Sequence, residues 1–211
     1  MILLIRHGET RANAERVLQM PDSPLSERGI GQAKRLAKRI SKVGVSRILV
    51  SDFRRAEMTA EPIARACGLH LELEPLLQER NFGALRGRAY ADLDCDPFAP
   101  GYAPPEGESW EQFYARVDQA WARILARAAQ TLGNLAVVTH GLVCRALVER
   151  HLGLETEIGA FLNTCVTEIE AAPPGRVTRL ACTAHLATGP EAGPKLSPEE
   201  RSPRGSRDGI A

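Results

Sequence analysis

The sequence has no marked excess of charge of either sign. Its 211 residues include 27 Lys and Arg against 26 Asp and Glu, a formal net charge of +1 with the histidines neutral. A strong basic excess is what draws proteins to nucleic acids and anionic membranes. We therefore expect neither a nucleic-acid nor a membrane partner, and any cationic site must come from a local arrangement of side chains.

Paired cysteines and long apolar runs are also missing. The five cysteines are widely spaced and include no Cys-x-x-Cys pair, which indicates free thiols in a reducing compartment rather than a disulfide framework. The N-terminal apolar run is interrupted by Arg6, and no later run approaches the roughly 20 residues that span a bilayer. These features predict a cytoplasmic protein without a signal peptide.

Segments typical of strands and of helices alternate along the chain. Apolar runs that predict buried strands occupy residues 2–5, 47–50 and 135–139. Amphipathic patterns predict helices at about residues 26–43, 54–67, 109–128 and 142–152. Two closing strands are expected at residues 166–170 and 177–182. This order predicts an α/β three-layer sandwich with a mainly parallel central sheet and helices on both faces.

The domain organisation follows from length and composition. A chain of this length buries one core, so residues 1–185 are expected to form one domain. From about Leu186 onward the composition changes to Pro, Gly, Ser, Glu and Arg, and residues 186–211 are predicted to be a disordered tail. The irregular stretch at residues 78–108 is longer than an ordinary loop and is typical of a lid or binding insertion.

Basic or imidazole side chains follow each of the first three predicted strands. Arg6 and His7 follow the first strand, Arg55 lies just beyond the second, and His140 follows the third. In open α/β sheets, ligands bind in the crevice beyond the carboxyl ends of the strands. The sequence therefore predicts one shared cationic site at this edge, suited to a phosphate group.

Phosphoryl transfer needs cationic donors around the phosphoryl oxygens and a nucleophile in line with the leaving group. Arg6 and Arg55 can supply the donors, because guanidinium groups match phosphate geometry and stay charged at ordinary pH. The two histidines His7 and His140 can share the remaining work, since neutral imidazole is a nucleophile and protonated imidazole a donor. Residue type alone does not decide which histidine is the nucleophile and which is the donor.

Further donors and a proton carrier complete the predicted site. The backbone N–H groups of Gly141 and Leu142, at the start of a helix, are expected to face the phosphate. A carboxyl group must protonate the leaving alkoxide and later take a proton from water. We assign this to Glu79. Glu9 and Asp52 are weaker alternatives, because each adjoins a presumed phosphate-binding cation and would partly cancel it.

These residues belong to a longer pattern. The stretch Arg6-His7-Gly8-Glu9-Thr10, with Asn13 after it, resembles the opening signature of the histidine phosphatase superfamily, the phosphoglycerate mutase-like enzymes. Each further piece is weak alone, but together they span roughly residues 1–182 in the family's order. The further pieces are Pro24-Leu25-Ser26, Ser51 to Ala56, Glu79 with Phe82-Gly83, Gly107-Glu108-Ser109 and Thr139-His140-Gly141.

The resemblance implies the phosphoglycerate mutase-like fold and the roles that the chemistry left open. It makes His7 the nucleophile that becomes phosphohistidine and Glu79 the general acid and then base. The residues that would hold the phosphoryl oxygens or line the substrate pocket are Arg6, Arg55, His140, Thr10 and Asn13. The enzyme so described needs neither a metal ion nor a cofactor.

The chain departs from the family's pattern near the pocket. Ala12 stands where a Trp is common, and Leu85-Arg86-Gly87 replaces the frequent Trp-Glu-Gly. Arg86 and Arg88 could add a basic wall that favours a substrate with a second anionic group. The alternative is that both belong to a solvated loop.

The interval from residue 79 to residue 108 is shorter than the one associated with cofactor-dependent mutases, whose longer insertion excludes water. Transfer to water is then the simpler outcome. We therefore expect a metal-independent phosphatase of a small phosphorylated metabolite, with cofactor-dependent phosphoglycerate mutase-type transfer as the alternative. A non-catalytic phosphate-binding module is a third possibility. A homodimer through a sheet edge stays open.

Overall fold

The computed structural model describes residues 1–156, 161–170 and 175–187. Within these residues, one mixed sheet contains β1 (Ile2–Arg6), β2 (Val45–Val50), β3 (Leu71–Leu73), β4 (Asn134–Thr139), β5 (Val166–Glu170) and β6 (Arg176–Cys182). The strand order is β3-β2-β4-β1-β5-β6. The first four strands in this order are parallel, β5 is antiparallel to β1, and β6 is antiparallel to β5. The predicted mainly parallel sheet is confirmed.

Helices cover both faces of the sheet. They are α1 (Arg11–Ala14), α2 (Glu27–Ile40), α3 (Arg54–Cys67), α4 (Trp110–Ala129) and α5 (Gly141–Leu152). In β1, Ile2 and Leu4 pack into a core with α4 and α5, whereas Leu3 and Ile5 pack into a second core with α2 and α3. Because both faces of β1 are buried, its sequence is continuously apolar rather than alternating. The three-layer α/β sandwich is therefore as predicted.

Capping side chains set the helix boundaries. Ser26 Oγ accepts a hydrogen bond from the backbone N–H of Gly29, and Ser109 forms a capping box with Gln112. Gly68, with a φ of 68°, ends α3 in the left-handed conformation that glycine adopts without strain. One boundary prediction was wrong, because α2 ends at Ile40 and the exposed Val43 does not continue its apolar face.

The irregular stretch at residues 78–108 is an ordered cover rather than an open loop. It contains the short 3₁₀ helices Gly83–Leu85 and Tyr90–Asp92. Its organiser is Arg80, which is 1% exposed. The Arg80 guanidinium donates to the carbonyl oxygens of Glu108, Pro97 and Tyr102 and lies 3.9 Å from the centre of the Trp110 ring. One buried cation thus holds together backbone segments far apart in this stretch.

The C-terminal boundary differs slightly from the prediction. Ala184–Leu186 forms a 3₁₀ helix, and Leu186 is buried, so the predicted tail from residue 186 begins inside an ordered turn. Residues 188–211 lie outside the described part of the chain. In the part that is described, no helix is long and apolar enough to cross a membrane, and all five cysteines are free thiols.

Candidate active site

The carboxyl ends of the central strands meet at one edge of the sheet. Arg6 at the end of β1 is paired in register with Thr139 at the end of β4, and Val50 of β2 is paired with Val138. The residues that follow these strands are therefore neighbours. The register brings the three strand ends together at one edge, which is what a shared site requires.

His7 is buried and has a fixed proton position. Its Nδ1 lies 2.7 Å from the carbonyl oxygen of Gly8, which can only accept, so Nδ1 carries the proton. Arg55 Nε donates to His7 Nε2 at 3.3 Å, so Nε2 holds the lone pair. Burial, followed by the charges of Arg55 and Arg6, lowers the pKa of His7 well below its usual value. The imidazole is neutral near pH 7, with Nε2 free of a proton.

Arg6 and Arg55 flank His7. Arg55 is 1% exposed, and its Nη1 donates to the carbonyl oxygen of Met20 at 3.0 Å. Burial lowers the pKa of Arg55 to about 10, with the charge of Glu79 opposing the shift, so the guanidinium stays protonated near neutrality. Arg6 Nη1 donates to the carbonyl oxygen of Phe161, and among the described residues Arg6 Nε has no hydrogen-bond partner.

The neighbouring Arg54 has a different environment. It forms an ion pair with Glu61 at 3.0 Å, and its side chain is 48% exposed. The assignment of Arg55 rather than Arg54 to the site is therefore consistent with the structure. The difference arises because consecutive residues on a helix point in directions about 100° apart.

Glu79 is the buried carboxyl group of the site. Its Oε1 accepts from the backbone N–H of Arg80 at 3.1 Å, and its Oε2 accepts from the backbone N–H of Leu142 at 3.2 Å. Burial raises the pKa of Glu79, and the hydrogen bond from Leu142 and the charge of Arg55 only partly offset that effect. The group is therefore suited to carrying a proton at higher pH than an exposed glutamate.

The two alternative carboxyl groups are engaged elsewhere. Glu9 forms an ion pair with Arg28 at 2.9 Å and accepts from Ser26 Oγ. Asp52 accepts from Gln78 Nε2 at 2.8 Å. Neither carboxylate lines the cavity that contains Glu79, so the structure favours Glu79 among the three.

The start of α5 contacts the site differently from the prediction. Gly141 lines the cavity beside Arg6, and a Cβ atom at this position would lie 3.4 Å from Arg6 Nε, an ordinary contact distance. The N–H of Leu142, predicted to face a phosphate, instead donates to Glu79. A buried carboxylate is a strong acceptor, which explains why it takes this donor. The side chain of Leu142 nevertheless lines the cavity.

His140 lies beside His7 without forming part of the cavity wall. The two ring centres are 5.1 Å apart, and His140 is fully buried. Its Nε2 is 2.8 Å from Ser51 Oγ, while its Nδ1 has no partner among the described residues. Burial, with the charges of Arg55 and His7, lowers the pKa of His140 well below its usual value.

Thr10 has a structural role in place of the predicted pocket role. It caps α1, accepting from the backbone N–H of Asn13, and its Oγ1 donates to Gln19 Oε1 at 2.7 Å. It is fully buried and does not line the cavity, because the cap consumes its hydroxyl group. Asn13 does line the cavity, and its Oδ1 accepts from the Thr10 N–H and from Asn163 Nδ2.

The cavity above His7 has a volume of about 180 Å³. Sequence reasoning missed several of its lining residues, namely Gln19, Phe53, Tyr90, Phe98, Arg145 and Phe161. In sequence, Arg145 has the pattern of ordinary helix surface charge, but it follows Leu142 by three residues on α5 and so shares its face. Arg86 lines the cavity as predicted, whereas the exposed Arg88 points elsewhere and donates to the carbonyl oxygen of Asp92.

The fold and this cluster of paired histidines, arginines and a buried glutamate define a phosphoryl-handling class of protein. A sequence model of the histidine phosphatase superfamily (branch 1) matches residues 2–183. The chain belongs to this superfamily. The resemblance inferred from the motifs is thereby confirmed.

Relatives of the chain include both mutases and phosphatases by name. A Yersinia pestis (strain Pestoides F) protein named "Probable phosphoglycerate mutase GpmB" is 37% identical over 163 residues, which are 72% of this chain and 75% of that protein. The structure of the alpha-ribazole phosphatase from Shigella flexneri is 28% identical and has a TM-score of 0.76, covering 86% of this chain and 96% of its own. The mycobacterial glucosyl-3-phosphoglycerate phosphatase in complex with VO3 is 27% identical and has a TM-score of 0.72, covering 86% and 97%.

Proposed function

We propose that the protein hydrolyses small phosphomonoesters through a phosphohistidine formed at His7 Nε2. The observation that carries the proposal is the fixed tautomer of His7. Gly8 holds the proton on Nδ1, which leaves an unprotonated Nε2 beside Arg55, in a cavity shared with the buried Glu79. A neutral nucleophile, cationic donors and a proton carrier are what phosphoryl transfer requires.

In the first step, His7 Nε2 attacks phosphorus and forms a P–N bond while the P–O bond to the leaving alcohol breaks. Arg6 and Arg55 hold the phosphoryl oxygens and balance their charge. The protonated form of Glu79, which burial favours by raising the pKa of the group, donates its proton to the leaving oxygen. The alcohol leaves neutral, and Glu79 becomes a carboxylate.

In the second step, water attacks the phosphorus of the phosphohistidine. The Glu79 carboxylate takes a proton from this water, the P–N bond breaks, and orthophosphate leaves. His7 regains its neutral form with the proton on Nδ1, because the Gly8 carbonyl oxygen accepts throughout. Each residue thus returns to its starting protonation state.

His140 supports the phosphoryl group from beside His7. Burial lowers the pKa of His140. A phosphoryl dianion next to the two rings would favour the protonated form, because an opposite charge within about 4–6 Å stabilises an ionised group. His140 would then add a positive charge to those of Arg6 and Arg55 when substrate binds.

Phosphoryl transfer to a second phosphorylated acceptor is the second candidate function, and the similarity to a protein named as a mutase favours it. The same His7 chemistry serves both reactions. They differ only in whether water or an alcohol takes the phosphoryl group from His7. Independence from metals, a cytoplasmic location and a homodimeric state remain predictions.

The test compares wild type with His7→Ala on a panel of phosphomonoesters in the presence of EDTA. Released phosphate is measured together with transfer to added 3-phosphoglycerate. His70→Ala, which changes an exposed histidine, is the matched control. Phosphate release by wild type and by the control, but not by His7→Ala, supports the proposal.

Other outcomes of this experiment separate the alternatives. Transfer that exceeds release favours the mutase. Activity retained by His7→Ala, or abolished by EDTA, contradicts the mechanism. Binding of phosphomonoesters without any turnover favours the non-catalytic module.

A further inference from the structure

The cavity holds more positive charge than one phosphoryl group needs. Among the described residues that line it, Glu79 is the one acidic group, beside five arginines: Arg6, Arg55, Arg80, Arg86 and Arg145. The proposed function places the first two on the phosphoryl oxygens. Arg80 is occupied by three backbone carbonyl groups. Arg86 and Arg145 are left without a role in the chemistry.

Arg86 is a half-buried cation, and the acidic group whose charge acts on it, Glu108, is itself paired with Arg116. Among the described residues the Arg86 guanidinium makes no hydrogen bond and no ion pair, and it lies over the Phe53 ring, 6.0 Å from the ring centre. Withdrawing a charge from water without pairing it costs free energy. An anion bound at Arg86 would recover part of that cost, which makes this side chain a natural contact for a ligand.

Arg145 reaches the cavity wall from α5 and is held from behind. Its Nε donates to Glu149 Oε1 at 2.7 Å, and the same oxygen accepts from Thr156 Oγ1 at 2.8 Å. These contacts fix the guanidinium. The terminal Nη1 and Nη2 atoms have no hydrogen-bond partner among the described residues, so they remain available as donors to a ligand.

We propose that Arg86 and Arg145 form a second anion-binding subsite, and that the substrate is a small phosphomonoester carrying a second anionic group. This inference rests on the proposed function, which assigns the phosphoryl group to Arg6 and Arg55. The second anion is a carboxylate or a second phosphate, since guanidinium groups bind both. The cavity volume of about 180 Å³ is below the roughly 300 Å³ at which pockets for drug-sized ligands begin, so the two anions are joined by few carbon atoms.

The test uses substrates that differ only in the second anion. 3-Phosphoglycerate and glycerol 3-phosphate differ by a carboxylate in place of a hydroxymethyl group. Propane-1,3-diol bisphosphate and propyl phosphate test a phosphate in the same role. We expect wild-type kcat/KM to favour one anionic member over its neutral partner by about tenfold or more, as expected for a lost charge-assisted hydrogen bond. The preferred pair identifies the anion.

Variants assign the preference to the two arginines. Arg86→Gln is expected to reduce the anionic-to-neutral ratio about tenfold. Arg145→Gln is made together with Glu149→Gln, so that no carboxylate loses its partner, and is expected to reduce the same ratio. Arg88→Gln is the control, because Arg88 is exposed and does not line the cavity. This variant should keep the wild-type ratio.

A binding measurement separates this inference from the proposed function, because it needs no turnover. Calorimetry is used with the unreactive His7→Ala protein and the same four compounds. Turnover with equal efficiency on anionic and neutral esters overturns the subsite and leaves the phosphatase intact. A ratio unchanged in Arg86→Gln overturns it as well. Absence of any turnover together with tighter binding of the anionic compounds overturns the phosphatase and supports the subsite.

Discussion

Arg116 and Glu108 form a two-contact ion pair, with Nε 2.9 Å from Oε1 and Nη2 2.8 Å from Oε2. Arg116 Nη1 also donates to the carbonyl oxygens of Leu76 and Gln78, each at 2.8 Å. The pair therefore fixes the backbone that leads directly into Glu79. Arg116 acts as a positioning residue for the proton carrier without lining the cavity.

Replacing Arg116 with Lys should lower kcat about tenfold to a hundredfold, because a displacement of about 1 Å at a reacting group can cost that much. Lysine cannot reproduce the two-contact pair and both carbonyl contacts together. The measurement is kcat as a function of pH. The fall in rate with rising pH that depends on Glu79 should weaken together with kcat. Arg150→Lys, at the exposed two-contact pair with Asp118, should leave both unchanged. Equal losses in the two variants would contradict a positioning role.

Glu79→Gln should affect alkyl phosphates more than p-nitrophenyl phosphate. An alkoxide needs the proton that Glu79 supplies, an effect typically of 10²–10⁴-fold, whereas p-nitrophenolate leaves without one. Because the pKa of Glu79 is raised, the wild-type rate on alkyl phosphates should fall as pH rises through that pKa. The variant should lose this limb. A wild-type limb that persists in Glu79→Gln would exclude the assignment.

The same variant should accumulate phosphohistidine. With p-nitrophenyl phosphate the first step continues, while the second lacks the carboxylate that takes a proton from water. Stopped-flow measurements should show a burst of p-nitrophenolate close to one equivalent per protein chain, followed by slow turnover. A linear time course without a burst would argue against Glu79 as the base.

Gly29→Ala should destabilise the fold and displace the segment after His7. A Cβ atom at Gly29 would lie 2.0 Å from the carbonyl oxygen of Glu9, with no flexible side chain to move aside. Forced overpacking of this kind costs about 1–3 kcal/mol, measured as the free energy of unfolding in urea. Gly31→Ala, two residues further along α2 and half-buried, should instead gain up to about 1 kcal/mol from helix propensity. A neutral Gly29→Ala variant would show that the close approach is not required.

His185→Gln should make the protein less sensitive to acid. Burial, with the charges of Arg39 and Arg35, lowers the pKa of His185 to about 4, and its Nε2 contacts Thr164 Oγ1. The unfolded chain therefore binds a proton that the folded chain does not between about pH 6.5 and pH 4, and stability falls as pH falls through this window. The unfolding midpoint of the variant should fall less between pH 7.5 and pH 4.5 than that of wild type. An equal fall in both would contradict the assignment.

The elements of the fold and the main chemical groups were predictable because they depend on local patterns. The apolar runs of β1 and β4 predict buried strands, and parallel pairing then places Arg6, His7 and His140 at one edge. The carboxyl ends of parallel strands lie at the same edge of the sheet whatever their exact register. These three residues could therefore be placed at one edge of the sheet without knowledge of side-chain contacts.

The errors concern where individual polar groups point. Thr10 could donate to a ligand or cap a helix, and only the structure shows the cap. The Leu142 N–H has the same ambiguity, which is decided by the position of Glu79, 63 residues earlier. Arg145 has the pattern of surface charge, but in the fold it lines a cavity whose wall also includes side chains from residues 78–108. Such choices depend on tertiary distances that no local pattern encodes.

The position of β1 has a consequence for synthesis of the protein. Ile2 pairs with Leu135 on one side and with Ile169 on the other, so β1 is central in the sheet but is synthesised long before its two neighbours, β4 and β5. The surroundings of Arg6 and His7 therefore cannot assemble until β4 and β5 have left the exit tunnel. Nascent chains that end before residue 134 should lack phosphate affinity, and the apolar β1 stays without its partner strands for most of the synthesis of the domain.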